Sequence, residues 1–340
     1  MVPPSGTTAE RPQNPQKGTL RFNTDIGSLE YFKGDTLGWE SINRVSPNLN
    51  GGARGLFTIA GSPSANIDMV TIATLGNSTD WADLNTGAIW GGGIGSRVRG
   101  VCGGRYNNAD NIQYGYFSQQ SNFLDFGNLT DGRHQMTALS NNIRGCFIGG
   151  TGPAKVDTID YITISQTGNA VDFGNLLATA SFNLAVSSPV RGVIGGGFTP
   201  TIVNTIQYIT VMTTGNAAEF GDLTSVRAYG GQACNATRGI FAGGQSPNDN
   251  NPTNVIDYVT MATTGNSVDF GDLIAPMGNQ NTGVVSSPTR GLFANGYDNP
   301  VENNVISYIT IPTLGNAVDF GDTTSATSGG MAMSNAHGGL

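Results

Sequence analysis

The sequence predicts an all-β chain, a six-unit β-propeller preceded by a small β-meander. Three observations carry that prediction. A unit of about 45–50 residues recurs six times, a period that belongs to solenoids, arrays and propellers. Each unit holds short runs of strand-forming residues set between Gly- and Asn-rich turns. Glycine, 50 of 340 residues, falls at recurring positions of the unit and not in one flexible tract.

The unit is clearest in Arg238–Leu273, RGIFAGGQSPNDNNPTNVIDYVTMATTGNSVDFGDL. An Arg-Gly pair opens each copy, at Arg54, Arg99, Arg144, Arg191, Arg238 and Arg290. An acid closes each copy, at Asp80, Asp125, Asp172, Glu219, Asp269 and Asp319. From each Arg to the aromatic or Met of the middle strand the steps are 15, 15, 17, 17, 20 and 18. From there to the acid the step is always 11, which predicts a hairpin of fixed register. The length variation falls between the Gly pair and the middle strand, so that segment is predicted as a free loop.

RGIFAGG reads as one strand, NVIDYVTM as the next, Thr264-Gly265-Asn266 as a tight turn and SVDFGDL as a third strand. A fourth is expected before the following Arg, over 275–287 here and 227–236 in the preceding unit. Four short strands per unit is the size of a propeller blade.

The pattern resembles kelch repeats. Arg133 and Arg227 stand in the first strand, and Gly103-Gly104, Gly149-Gly150, Gly196-Gly197 and Gly243-Gly244 close the second. A variable loop, a Tyr strand and an aromatic strand follow. Phe stands where kelch repeats usually have Trp, with Trp81 the exception. The array opens on a second strand at Arg54 and ends on a first strand over 325–336. Pairing those two would close six blades and remove the open edges. The resemblance implies that the variable loops share one face and that the N-terminal module joins the other.

Residues 1–44 read as an extended, solvated arm and a meander: Leu20-Arg21-Phe22, Leu29–Phe32 and Trp39–Ile42. A sheet of that size needs a partner surface, most simply copies of itself. Residues 45–53 read as a linker and 54–340 as the array. The run TTAERPQNPQKGTLRFNTDIGSLEYFKGDTLGWESI resembles a short module of tail-fibre and other virion proteins of tailed phages. That resemblance implies a virion location and other virion proteins as partners.

A net charge of −8 and a pI near 4.6 argue against nucleic acid as the main partner. No apolar run is long enough for a membrane-spanning helix, and the N-terminus does not read as a secretory signal. Cys102, Cys146 and Cys234 read as small core residues.

The six Arg and six acidic residues recur too uniformly for one catalytic centre and are expected to be structural. The Asp-Phe-Gly triplets lack the other parts of a kinase site. His134 and His337 are expected in strands or turns. No cofactor, metal or catalytic residue is expected. The ligand-binding candidates lie in the variable loops: Tyr106, Asn107 and Asn108; Phe198; Asn248, Asp249 and Asn250; Tyr297, Asp298 and Asn299. Aromatic rings beside amides and carboxylates suit a sugar ring, by stacking and by hydrogen bonds to hydroxyls. The expected function is display of the propeller for host-surface recognition of glycan or protein. Two readings stand beside it: a purely structural decoration of capsid or tail, and a glycan-degrading enzyme on a propeller scaffold.

Overall fold

A computed structural model describes residues 3–25, 28–36, 38–41, 52–59, 65–245, 252–278, 283–298 and 301–340. The chain divides into two compact units, 1–48 and 49–340. Among the described residues there are seven four-stranded sheets, one in the first unit and six in the second.

The first unit contains the expected meander, Leu20–Asn23, Ser28–Phe32 and Trp39–Ser41. The segment before it is more ordered than the sequence suggests, because Ser5–Gly6 adds a parallel edge strand to Leu20–Asn23. The residues that carry the phage-module resemblance hold this fold together. Glu30 is fully buried and pairs with Arg11 at 2.6 Å and Arg21 at 3.4 Å. The Arg11 bond is the main reason its carboxyl titrates below the usual range. Asn23 also donates to Glu30, Arg21 to the Thr7 carbonyl, and the Thr8 amide to Asp25. Arg11 and Arg21 both lie over the Trp39 ring.

In the second unit each sheet has an inner, second, third and outer strand. The third sheet is typical: Thr137–Ser140, Arg144–Ile148, Thr158–Thr163 and Val171–Asn175, all antiparallel. The first sheet draws its inner strand, Ala332–Ser334, from the far end of the chain, where it pairs antiparallel with Arg54–Thr58. Inner strands are four residues or fewer, shorter than expected. The inner strands contact one another in sequence order, and Ala332–Ser334 contacts both Gly283–Ser286 and Gly92–Gly95. The apolar core lies between successive sheets, where Ile, Val and Phe of one meet those of the next.

The constant 11-residue step hides a β-bulge. In all six sheets the register shifts just after the third-strand isoleucine. The unpaired residue is the Phe of Asp-Phe-Gly, of Glu-Phe-Gly in the fourth sheet, or Trp81 in the first sheet. Phe173 is buried and meets the Tyr161 ring edge to face at 6.0 Å. Arg144 lies over the other aromatic partner, 4.2 Å from the Tyr161 centroid.

The Gly-Asn turn does more than reverse a hairpin. It stitches the outer strand of one sheet to the next, with Ser121-Asn122 standing in its place in the second sheet. Gly168 N donates to Phe126 O and Ala170 N to Asn128 O, while Asn169 accepts from Asn128 N. The same contacts recur to the last sheet, where Asp322 N donates to Asn77 at 3.1 Å. The bulge glycine permits this approach: a Cβ at Gly321 would stand 2.6 Å from the Gly76 carbonyl.

Candidate functional site

Where the structure places the repeat charges is clear. Each repeat Arg donates to a carbonyl of the following sheet: Arg54 to Phe117, Arg99 to Ile164, Arg144 to Val211, Arg191 to Met261, Arg238 to Ile311, and Arg290 to Ile72. The six acids Asp80, Asp125, Asp172, Glu219, Asp269 and Asp319 are exposed on the outer strands. The array's ion pairs among the described residues are different ones, Arg133–Asp160 and Arg227–Asp257, each 3.0 Å and each almost fully buried.

These pairs sit at a third-strand position that the sequence reading did not single out. It holds Asp68, Gln113, Asp160, Gln207, Asp257 and Ser307, all buried. Asp160 and Asp257 each accept from the backbone and hydroxyl of a Thr in the preceding sheet, Thr130 and Thr224. Asp68 accepts likewise from Thr324. Gln113 meets the backbone of Thr86 with both amide atoms. The position is a fastening between sheets.

Between the inner strands lies a cavity of about 80 Å³, lined chiefly by glycine, serine and aliphatic side chains. One end is closed by the last residues. His337 is partly buried, donates from Nε2 to Gly95 O at 2.8 Å, and accepts at Nδ1 from Gly339 N. Burial pushes its pKa down to about 4. Ser140, Ser187 and Ser334 donate to the inner-strand carbonyls of Gly95, Ser140 and Ser286, forming a polar collar at that end.

The other end lies beside the second-to-third-strand connections. Here Trp90, Gln135, Phe182 and Tyr229 occupy equivalent places just before the inner strands, all with φ between 55° and 67°. Non-glycine residues seldom adopt that conformation. It lets their backbones link sheet to sheet: Trp90 N to Gly329 O, Gln135 N to Trp90 O, Phe182 N to Gln135 O, and Tyr229 N to Phe182 O. The side chains of Trp90, Phe182 and Tyr229 give this end an aromatic rim. The Phe182 and Tyr229 rings lie 4.0 Å apart.

Some of the candidates from sequence meet this rim. RYNNADN is a tight hairpin and not a free loop: strands reach Arg105 and resume at Ala109, turning on Asn107 and Asn108, with φ 71° and 57°. Tyr106 is half exposed and stands nearly perpendicular to Trp90 and to His134, at 5.2 and 5.5 Å. His134 Nδ1 lies 3.1 Å from Asn108 Oδ1, and burial lowers the imidazole pKa. Phe198 joins Phe182, Ile202 and Tyr229, with Lys155 Nζ 3.2 Å from its centroid. The structure does not gather all ten candidates. Tyr297 and Asp298 belong to the long second strand Arg290–Asp298 of the sixth sheet. Asn248, Asp249, Asn250 and Asn299 lie outside the described residues. Sequence reading missed Trp90, Gln135, Phe182 and Tyr229; their one signal was recurrence two residues before an inner strand.

No protein-family profile and no curated protein matches this sequence. Among solved structures, that of YjhT superposes with a TM-score of 0.62 at 9% identity, over 74% of this chain and 88% of that one. The array is propeller-like. At that identity the likeness speaks for the fold alone, and the rim residues are described from this chain.

Proposed function

We propose that residues 54–340 form a closed, six-bladed, kelch-like propeller in a non-enzymatic virion protein of a tailed phage, and that its rim face recognises the host surface. The observation that carries the recognition step is the aromatic rim itself. Trp90, Tyr106, His134, Phe182, Phe198 and Tyr229 cluster on one end of an otherwise Asn-, Thr- and Gly-rich fold. Apart from the buried Phe182 these groups are partly exposed, and such rings beside amides are binding chemistry. The phage-module resemblance of residues 6–42 supports the virion assignment and other virion proteins as partners.

The N-terminal unit makes the oligomer. Its register sets Phe22 opposite Leu29 and Leu20 opposite Tyr31, and Leu20, Phe22 and Leu29 are exposed. A small sheet with an apolar face gains by covering it with a second copy. Sedimentation of the full chain tests this: an oligomer is expected, and Phe22→Glu with Leu29→Glu should give monomers. Adhesion of the labelled full chain to a panel of bacterial hosts tests recognition. Binding to none of them, together with firm incorporation into particles, would favour the purely structural decoration.

A further inference from the structure

Resting on that reading of the rim face, we propose that Tyr106, Trp90, His134, Asn107 and Gln135 form a subsite for one neutral hexopyranose ring. The geometry is that of a corner. Trp90 and His134 are near parallel, 24° apart, and Tyr106 stands at 88° to one and 82° to the other. Such a corner offers an apolar wall to the C–H face of a pyranose while leaving its hydroxyl edge open.

Polar groups surround it. Asn107 and Asn108 form the exposed tip of the hairpin, with the Asn108 oxygen already engaged by His134. The Gln135 oxygen accepts from Thr151 at 2.9 Å, which orients the amide and leaves its N–H groups for an acceptor. Sugar hydroxyls both donate and accept, so they fit amide groups of this kind.

The charges favour a neutral ring. Arg133, next to His134, is buried in its pair with Asp160, and Arg105 donates to the Gly87 carbonyl. Burial lowers the His134 pKa and so disfavours its charged form. None of the five residues of the corner itself carries a fixed charge to attract a carboxylate or phosphate. The fixed backbone helps as well: Trp90 and Gln135 are tied to each other and to Gly329 by main-chain hydrogen bonds, so little ordering remains on binding.

Saturation-transfer NMR of the full chain with methyl β-glucoside, methyl β-galactoside and methyl α-mannoside tests the subsite. Transfer to at least one of them is expected, weakened about tenfold or more in Tyr106→Ala, whose side chain is surface-exposed. Val190→Ala, exposed in the turn before Arg191, should leave it unchanged. Transfer to none of the three, or equal transfer to Tyr106→Ala, overturns the proposal. Host adhesion separates this from the wider reading. Adhesion that survives Tyr106→Ala at full strength rejects the sugar subsite and keeps surface recognition. Glycoside uptake without adhesion to any host keeps the subsite and rejects recognition.

Discussion

Arg290 donates to the carbonyl of Ile72, 3.1 Å away across 218 residues of sequence. The same bond joins Arg238 to Ile311 at 2.9 Å, so the end of the array meets its beginning as any two neighbouring sheets meet. Asn335 repeats the lesson by accepting from the Arg54 amide at 2.8 Å, as Asn141 does for Arg144.

Replacing Arg238 by Met should lower stability by about 1–3 kcal/mol, through the lost carbonyl bond and the lost contact with Tyr258. Lys should restore little of it, because one ammonium cannot both lie flat on the ring and reach Ile311. Urea denaturation reads the loss; a Lys variant as stable as the native chain would contradict the planar-fork explanation.

Two glycines separate crowding from backbone conformation. At Gly221 an added Cβ would run into the Gly265 carbonyl of the next sheet, whereas at Gly265 it would meet nothing but would be held at φ 155°. Gly265→Ala is expected to cost about 1 kcal/mol of conformational strain. Gly221→Ala should cost more, about 2 kcal/mol or above, because backbone must move. Thermal unfolding of both variants ranks them, and the reverse order would reject the stitch between sheets.

Arg227→Met leaves Asp257 buried without its cation and should cost about 3–5 kcal/mol. The molecule contains its own remedy, since the sixth sheet has Met277 and Ser307 at those two places. Arg227→Met with Asp257→Ser should therefore regain most of the loss. A double variant no better than the single one would show that the pair is not the unit that matters.

His337 makes stability depend on pH. Its folded pKa of about 4 lies below the ordinary 6.5, so between those values the unfolded chain binds the extra proton. Its contribution is complete above pH 6.5 and is lost as pH falls towards 4, on the order of 3 kcal/mol. His337→Gln should flatten that part of the profile. Identical slopes for both proteins between pH 7 and 4 would place the acid sensitivity elsewhere.

Much of the candidate site was not legible in the chain. Tyr106, Asn108 and Phe198 could be picked out because aromatic and amide residues stood in a variable segment. Trp90, Phe182 and Tyr229 could not, because each is one large side chain in an otherwise ordinary approach to a strand. They become a rim only when successive sheets bring them round one cavity mouth. The second-to-third-strand segments were expected to be free, yet isolated bridges such as Thr151–Lys155 and Phe198–Ile202 hold two of them, and the second is a tight hairpin.

By itself the sequence determined the strand content, the sixfold unit and the supply of a first-sheet inner strand from the chain's far end. Local chemistry is enough for these: alternation, turn residues and spacing act within one unit. Only the tertiary structure decided what the repeated letters are for. Asp-Phe-Gly proved to be a bulge that buries its ring, and Gly-Asn a stitch to the neighbouring sheet. The Arg of each unit serves a carbonyl of the next. Those roles depend on backbone groups some 40 or more positions away, including carbonyls, which every residue carries alike. No residue type marks such a carbonyl in advance, so only the packed sheets reveal it.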